Sequence, residues 1–288
     1  MAVERDTTEA RHVPEDAWAA LADPFVDDAY SSVKGRVRTY VLHQQLLRHL
    51  SPMPGTVLDV GGGAGNQSFP LAQAGYRVTV LDSSPAMLDK ARERLARLPA
   101  DVQSRVTFVE AAGEEAVVAV GGRRFDAVLC HGVLGYLDQP EPLVAELCRC
   151  VADDGVVSIM TANAHAMAVR PAMEQRWDDA LTAFDGRTEI GVLGVPGRAD
   201  TVEELSELMR GHGMKPENWY GVWLFVDLLG FGGVELDPGD TQQLAKIAAV
   251  ELEASTRDPY RQMSRVFHLV GRRIQQSKAD QQMSFRIR

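Results

Sequence analysis

The sequence predicts an α/β protein with a doubly wound, mostly parallel, seven-stranded sheet, a C-terminal antiparallel hairpin and an inserted helical segment. Three observations carry that expectation. Short continuous apolar runs alternate with segments of helical periodicity, as in parallel sheets buried on both faces. The first run, Thr56 to Val60, feeds a glycine cluster spanning Gly61 to Gly65. The next run ends in an acidic residue, Asp82, about 20 residues beyond the start of that cluster.

Taken in order, residues 1–30 read as an irregular arm with a short helix around Ala17 to Leu21, stopped by Asp23-Pro24. From Val33 to Leu50 the apolar positions Val37, Tyr40, Val41, Leu47 and Leu50 recur at helical spacing, and Pro52 and Pro54 end the helix. The strands expected next are 56–60, 77–81, 106–109, 125–130 and 156–160, with helices over 68–74, 85–98 and 142–151 between them. Residues 163–200 show no clear strand and are expected to form the inserted helical segment. Thr201-Val202-Glu203-Glu204 is a capping box, whose hydroxyl and carboxylate satisfy free N–H groups at the start of a helix over 202–211. Strands over 219–229 and 265–270, separated by a helix over 241–255, complete the sheet. The regions are thus an N-terminal helical arm (1–50) closing over the site, a main domain (51–273) and a polar tail (274–288).

Composition narrows the function. The chain has 288 residues, enough for one elaborated α/β domain, and no apolar run of membrane-spanning length. Its polar N-terminus does not read as a signal peptide, so a cytoplasmic protein without membrane contact is expected. Cys130, Cys148 and Cys150 are odd in number and lie in apolar patterns, as reduced core thiols do; no ligand set for a metal accompanies them. A net charge of −10 disfavours non-specific nucleic-acid binding. Arg257, Arg261, Arg265, Arg272 and Arg273 form a local basic group that reads most simply as a solvated face.

The segment Leu58-Asp59-Val60-Gly61-Gly62-Gly63-Ala64-Gly65 is the most informative in the chain. Glycines let a backbone turn sharply and approach a ligand, and the following helix offers unpaired N–H groups. Asp82 is placed to accept hydrogen bonds from ribose hydroxyls. A dinucleotide fingerprint starting at Gly61 and Gly63 would put its third glycine at Asn66. An acid before the loop also sits badly beside phosphates, whereas Asp59 suits a ligand with an ammonium group. S-adenosylmethionine is therefore expected ahead of NAD or a flavin.

With these residues in place, the sequence resembles the class I, Rossmann-like S-adenosylmethionine-dependent methyltransferases. Lys34-Gly35-x-x-Arg38, the glycine segment, His131-x-Val133-Leu134, Asn163-Ala164-His165, Glu251-Leu252-Glu253 and Pro259-Tyr260 through Arg265 and His268 look most like the tRNA 5-carboxymethoxyuridine methyltransferases, which esterify a wobble-uridine carboxylate. The resemblance implies that Arg38 reaches the cofactor carboxylate and that Tyr30 helps to close the site. It places Gly61 and Gly63 along the carboxylate and thioether region, Asp82 on the ribose with Ser83 nearby, Ala112 and Gly113 around adenine, and His131 near cofactor and substrate. The chain departs from that family at Gly135, where members tend to carry an acid. It departs again at Trp223, Val226 and Leu228, and in a 187–199 segment whose basic residues are Arg187 and Arg198.

Methyl transfer mainly needs alignment. A carboxylate acceptor needs no base, whereas a phenol or amine would, and His131 or His165 is then the candidate. Arg265 and His268, three apart in a strand, are expected on opposite faces, while Tyr136 and Tyr220 read as core aromatics. Trp219, Trp223 and Phe225 alternate, as if packing one sheet face. Three functions are open: a methyltransferase of a small molecule (carboxylate, phenol or amine), favoured by the acidic charge and apolar 223–229 segment; a tRNA methyltransferase; and a non-catalytic cofactor-binding regulator.

Overall fold

The computed structural model describes residues 30–190, 196–231 and 235–274. The expected helix near Ala17, the irregular arm and most of the polar tail fall outside them. Ser32 caps the first helix, α1 (Val33–Leu47), by accepting the Gly35 N–H at 3.1 Å. There follow β1 (Thr56–Val60), α2 (Ser68–Gln73), β2 (Arg77–Asp82), α3 (Pro85–Leu95), α4 (Ala100–Gln103), β3 (Val106–Glu110), α5 (Ala116–Ala119), β4 (Phe125–His131), α6 (Glu141–Cys150) and β5 (Val151–Ala162). The second half contains α7 (Val169–Met173), α8 (Trp177–Ala183), β6 (Thr188–Ile190), β7 (Pro196–Arg198), α9 (Val202–Gly211), β8 (Met214–Val222), α10 (Phe225–Phe231), α11 (Thr241–Ala254) and β9 (Val266–Arg273).

Seven strands form one sheet in the order β3-β2-β1-β4-β5-β9-β8, with β9 antiparallel to both neighbours and the other pairings parallel. Alternation along each strand sends side chains to two separate cores. Leu58, Val128, Cys130, Val157 and Ile159 pack against Leu143 and Leu147 of α6 and Leu205 and Met209 of α9. Val57, Val80, Ala127 and Leu129 pack against Leu46 of α1, Phe69 of α2 and Leu88 of α3. Leaving β1, the chain moves outward to β2 and β3, then returns to start β4 on the other side. This reversal opens a crevice at the C-terminal ends of β1 and β4, where ligands bind in such sheets.

The first five strands lie where their apolar runs put them, to within a few residues. The capping box at Thr201 is present, with the Glu204 N–H donated to Thr201 Oγ1 at 3.1 Å and the Thr201 N–H donated to Glu204. Among the described residues the three cysteines are free and buried, and burial pushes all three thiols up.

Three expectations are corrected. The insert is only partly helical, since β6 and β7 pair as an antiparallel two-stranded ribbon, three residues a side being too short to show a period. The expected strand over 219–229 ends at Val222: Trp223 takes φ +63° and α10 begins at Phe225. The cause lies in α11, where the buried Glu251 carboxylate accepts the N–H groups of Leu224 (3.0 Å) and Val226 (2.6 Å) and so caps α10 from a distance. Trp219, Trp223 and Phe225 consequently do not share a sheet face; Phe225 packs on Tyr260 instead, ring centroids 6.0 Å apart. Arg265 precedes β9, its N–H bonded to the Trp223 carbonyl at 2.9 Å, so strand alternation does not govern its direction.

Candidate functional site

The glycine loop supplies the first half of the site. Gly61 (φ +66°) and Gly63 (φ +51°) both adopt left-handed backbone, which costs other residues roughly 1–2 kcal/mol. A Cβ on Gly61 would collide with Val133 Cγ2, and one on Gly63 would stand 2.9 Å from Met87 Cε. Asp82, closing β2, braces the loop: its Oδ2 accepts the Gly63 N–H at 2.8 Å and its Oδ1 the Ser84 N–H at 2.9 Å. A carboxylate has about four acceptor positions, so both oxygens can still receive ribose hydroxyls. Burial raises the Asp82 pKa, and the two N–H groups partly offset it.

Ser83, expected near the ribose, is exposed; its neighbour Ser84 is buried and caps α3 by accepting the Met87 N–H at 3.3 Å. Ala112 and Gly113 follow β3, and a Cβ on Gly113 would stand 2.7 Å from Leu143 Cδ1 and 3.0 Å from Val60 Cγ1. The backbone there lies close against the end of β1.

Opposite charges stand across the loop. Asp59 is fully buried at the middle of the crevice, its Oδ2 accepting the Ser68 hydroxyl at 2.5 Å. Burial pushes its pKa up to about 6, with the neighbouring Asp82 adding to the rise and Ser68 and Arg38 opposing it. Arg38, on α1, is buried; its guanidinium reaches Gly132 just past β4 and lies 5.4 Å from the Tyr30 ring. A buried acid and a buried base close to a bare backbone suit a ligand that carries an ammonium and a carboxylate together.

His131 ends β4 at the same crevice. Its Nε2 bonds Ser158 Oγ at 2.8 Å, and burial, aided by His268 and Arg38, pushes its pKa well below the usual histidine range. His165 is exposed and lines a different cavity with Phe184, Asp185 and Arg187, so the two histidines do not converge. His268 is buried, as is Tyr220, which stacks on it with centroids 5.6 Å apart; Tyr136 is half-buried in a turn after β4.

A second pocket opens at the end of β5, lined by Asn163, Met167, Arg170, Trp223, Asp227 and Arg265 among others. Lys34 from α1 pairs with Asp227 Oδ1, and Arg265 lies 3.9 Å from Asp227 Oδ2. The Lys34 ammonium sits 4.5 Å from the Trp223 ring centroid, and the Trp223 indole N–H donates to the Lys34 carbonyl at 2.9 Å. Burial lowers the Lys34 pKa; Asp227 opposes the shift, while Arg265 and Arg170 reinforce it. Two cations thus flank one buried carboxylate, while Arg170 lines the same pocket and pairs with the exposed Glu174 at 2.9 Å. Sequence reasoning missed Asp227 because it lay in an expected strand, and Lys34 carried no role there. Their pairing joins residues 193 positions apart.

The basic group near the C-terminus forms no exposed stripe. Arg257 pairs with Glu253, Arg261 with Asp258 and Arg272 with Glu217, while Arg273 donates to the carbonyls of Val151 and Cys148. Among the described residues no helix is long and apolar enough to cross a membrane.

Comparison with known proteins fits this geometry. Residues 58–157, from the glycine loop through β4 and into β5, match the family model described as a methyltransferase domain. This part of the chain is similar to a methyltransferase domain. The tRNA 5-carboxymethoxyuridine methyltransferase of Escherichia coli (strain K12) is 29% identical over 161 residues, covering 55% of this chain and 60% of that protein. The ubiquinone biosynthesis O-methyltransferase of Methylocella silvestris is 37% identical over 111 residues, covering 37% of this chain and 40% of the relative. The chain therefore matches less than two thirds of the length of these curated relatives. Among solved structures, the glycopeptide N-methyltransferase MtfA complexed with S-adenosyl-L-homocysteine superposes with a TM-score of 0.54 at 16% identity, covering 92% of this chain and 100% of that one. The 1,6-didemethyltoxoflavin-N1-methyltransferase of Burkholderia thailandensis gives 0.51 at 18% identity, covering 93% of both chains. These likenesses extend the methyltransferase fold beyond residues 58–157.

Proposed function

We propose that this protein transfers the methyl group of S-adenosylmethionine to a small molecule presenting an anionic oxygen, such as a carboxylate. The observation that carries the reading is the left-handed Gly61–Gly63 backbone held by Asp82, with the buried Asp59 and the buried Arg38 close by. That donor set matches a zwitterionic amino-acid tail joined to a ribose. Bound there, the cofactor would supply an electrophilic methyl group. Arg38 would hold its carboxylate, Asp59 would balance its ammonium, Asp82 would accept the ribose hydroxyls, and Ala112 and Gly113 would frame adenine. Tyr30, against Arg38, would help to cover the site.

Lys34, Arg170 and Arg265, gathered around Trp223 and Asp227, would hold the acceptor. An anionic oxygen arrives ionised, so no base has to remove a proton. This suits a crevice whose histidine, His131, is held neutral by burial. Fixing nucleophile and electrophile about 3 Å apart then supplies most of the acceleration.

A second reading, a tRNA methyltransferase, is favoured by the similarity to the Escherichia coli enzyme. The net charge of −10 and the carboxylate partners of Arg257, Arg261 and Arg272 speak against it. Isotope-labelled methyl transfer into a fractionated cell extract separates the readings. Alkali-labile label in a small-molecule fraction supports the first, and label in nuclease-sensitive tRNA replaces it with the second. No label in any fraction leaves a cofactor-binding regulator.

A further inference from the structure

Beneath the crevice, four polar side chains run in one unbroken line through the core on the α1 side of the sheet. Gln45 of α1 donates its Nε2 to the Gly221 carbonyl at 3.1 Å. Its Oε1 meets His268 Nδ1 at 2.9 Å, His268 Nε2 meets Ser158 Oγ at 2.7 Å, and Ser158 Oγ meets His131 Nε2 at 2.8 Å. Gln45, His268 and Ser158 have no exposed surface. The line ends at His131 Nδ1, a buried atom with no hydrogen-bond partner among the described residues.

The direction of this line is fixed at one end. A carbonyl can only accept, so Gly221 sets the Gln45 amide with its nitrogen toward β8 and its oxygen toward His268. His268 must then carry its proton on Nδ1 and leave Nε2 as an acceptor. Burial lowers its pKa to about 3, so it does not gain a second proton near neutral pH. The Ser158 hydroxyl has to donate to His268, which leaves only its lone pairs for His131. His131 must therefore bear its proton on Nε2.

We propose that Gln45, His268 and Ser158 are positioning residues that lock His131 in its Nε2–H tautomer, making Nδ1 an obligate hydrogen-bond acceptor for an N–H or O–H of a bound ligand. A buried acceptor without a partner costs free energy, and a ligand donor at this strand end would recover it. The inference goes beyond the methyltransferase reading: it concerns which way a proton faces in the empty protein and needs no turnover. His131 is on this basis a ligand-orienting group.

The test is long-range proton–nitrogen correlation NMR on the full chain with nitrogen-15 histidine at pH 7.5, with His131→Gln and His268→Gln used to assign the two rings among seven histidines. The expected result is a pyrrole-type Nε2 and a pyridine-type Nδ1 for His131, and the reverse for His268. Either ring in the other tautomer, or exchange-averaged nitrogens in the wild-type protein, overturns the proposal. Ser158→Ala should keep the fold by circular dichroism yet lose the single tautomer at His131; a folded Ser158→Ala with the wild-type pattern also overturns it. Should that variant not fold, the wild-type spectrum still decides. Saturating S-adenosylhomocysteine or free adenosine should leave Nε2 protonated, with a shift of the Nδ1 signal under whichever probe carries the donor. Transfer of the proton to Nδ1 under either probe refutes the assignment. Absence of methyl transfer would overturn the proposed function and leave this spectrum unchanged.

Discussion

The two halves of the crevice are made in different ways. On the cofactor side, backbone does most of the work: Gly61, Gly63, Asp82 and Gly113 follow directly from the ends of the first three strands, inside one contiguous stretch. The pocket past β5 is lined by side chains from α7, α10 and the approach to β9, namely Arg170, Asp227 and Arg265, with Lys34 of α1 paired to Asp227. A backbone cradle tolerates little change in shape. A pocket of paired charges can be retuned by single substitutions without altering the sheet. One fold can therefore keep a cofactor and vary an acceptor, and the crevice here joins these two kinds of construction.

Four substitutions sharpen that contrast, from the largest expected effect to the smallest. Gly61→Val adds strain at a left-handed position and a collision with Val133. It should cost the fold about 2–4 kcal/mol and weaken S-adenosylhomocysteine binding about 100-fold or more, read by denaturant unfolding and calorimetry. An unchanged affinity would break the claim that backbone forms this half.

Asp59→Asn separates stability from binding. In the folded protein this acid has a pKa of about 6 against an ordinary value of 3.8, so the native state holds more protons between those pH values. Stability therefore falls as pH rises through that window, and the cost is complete above the folded pKa. The amide should stabilise the unliganded protein at pH 8 by up to about 3 kcal/mol and leave it little changed at pH 3. It should also weaken cofactor binding. Melting curves at the two pH values check the first expectation and titration calorimetry the second.

Asp227→Asn leaves Lys34 and Arg265 facing each other without their shared carboxylate. With Lys34 partly exposed, a loss of about 1–2 kcal/mol is expected, shrinking in high salt, together with tighter binding of small carboxylates and unchanged cofactor affinity. Equal damage to both affinities would mean that the halves are not separable. Thr201→Ala removes the α9 capping box without replacing a residue of either ligand position, and should cost about 1 kcal/mol by thermal melting with neither affinity altered.

Much of the cofactor side was legible in advance because its signals are local. A strand, a glycine turn and an acid at the end of the next strand occupy neighbouring stretches of chain, and each follows from residue type. The pocket past β5 was not legible for the opposite reason. Residues 225–229 continue the apolar run of 219–224, and it is Glu251 arriving from α11 that caps the helix starting there. That carboxylate was visible in the Glu251-Leu252-Glu253 motif, but its target was not. The insert misled in the same way, since β6 and β7 are defined by pairing with each other. Ser83 and Ser84 are alike in sequence, and the turn into α3 decides which one is buried.

The sequence by itself determined the alternation of strands and helices, the capping box at Thr201, the glycine loop and the acids that flank it. These depend on local backbone preference and on periodicity along a few residues. Tertiary structure alone decided that Asp227 meets Lys34, that Glu251 starts α10, and that Ser158 and His268 lie in line with His131. Each of those contacts joins residues from different elements across more than 20 positions of chain. No local preference encodes such a contact; it exists only once the two cores have packed and the sheet has set the register.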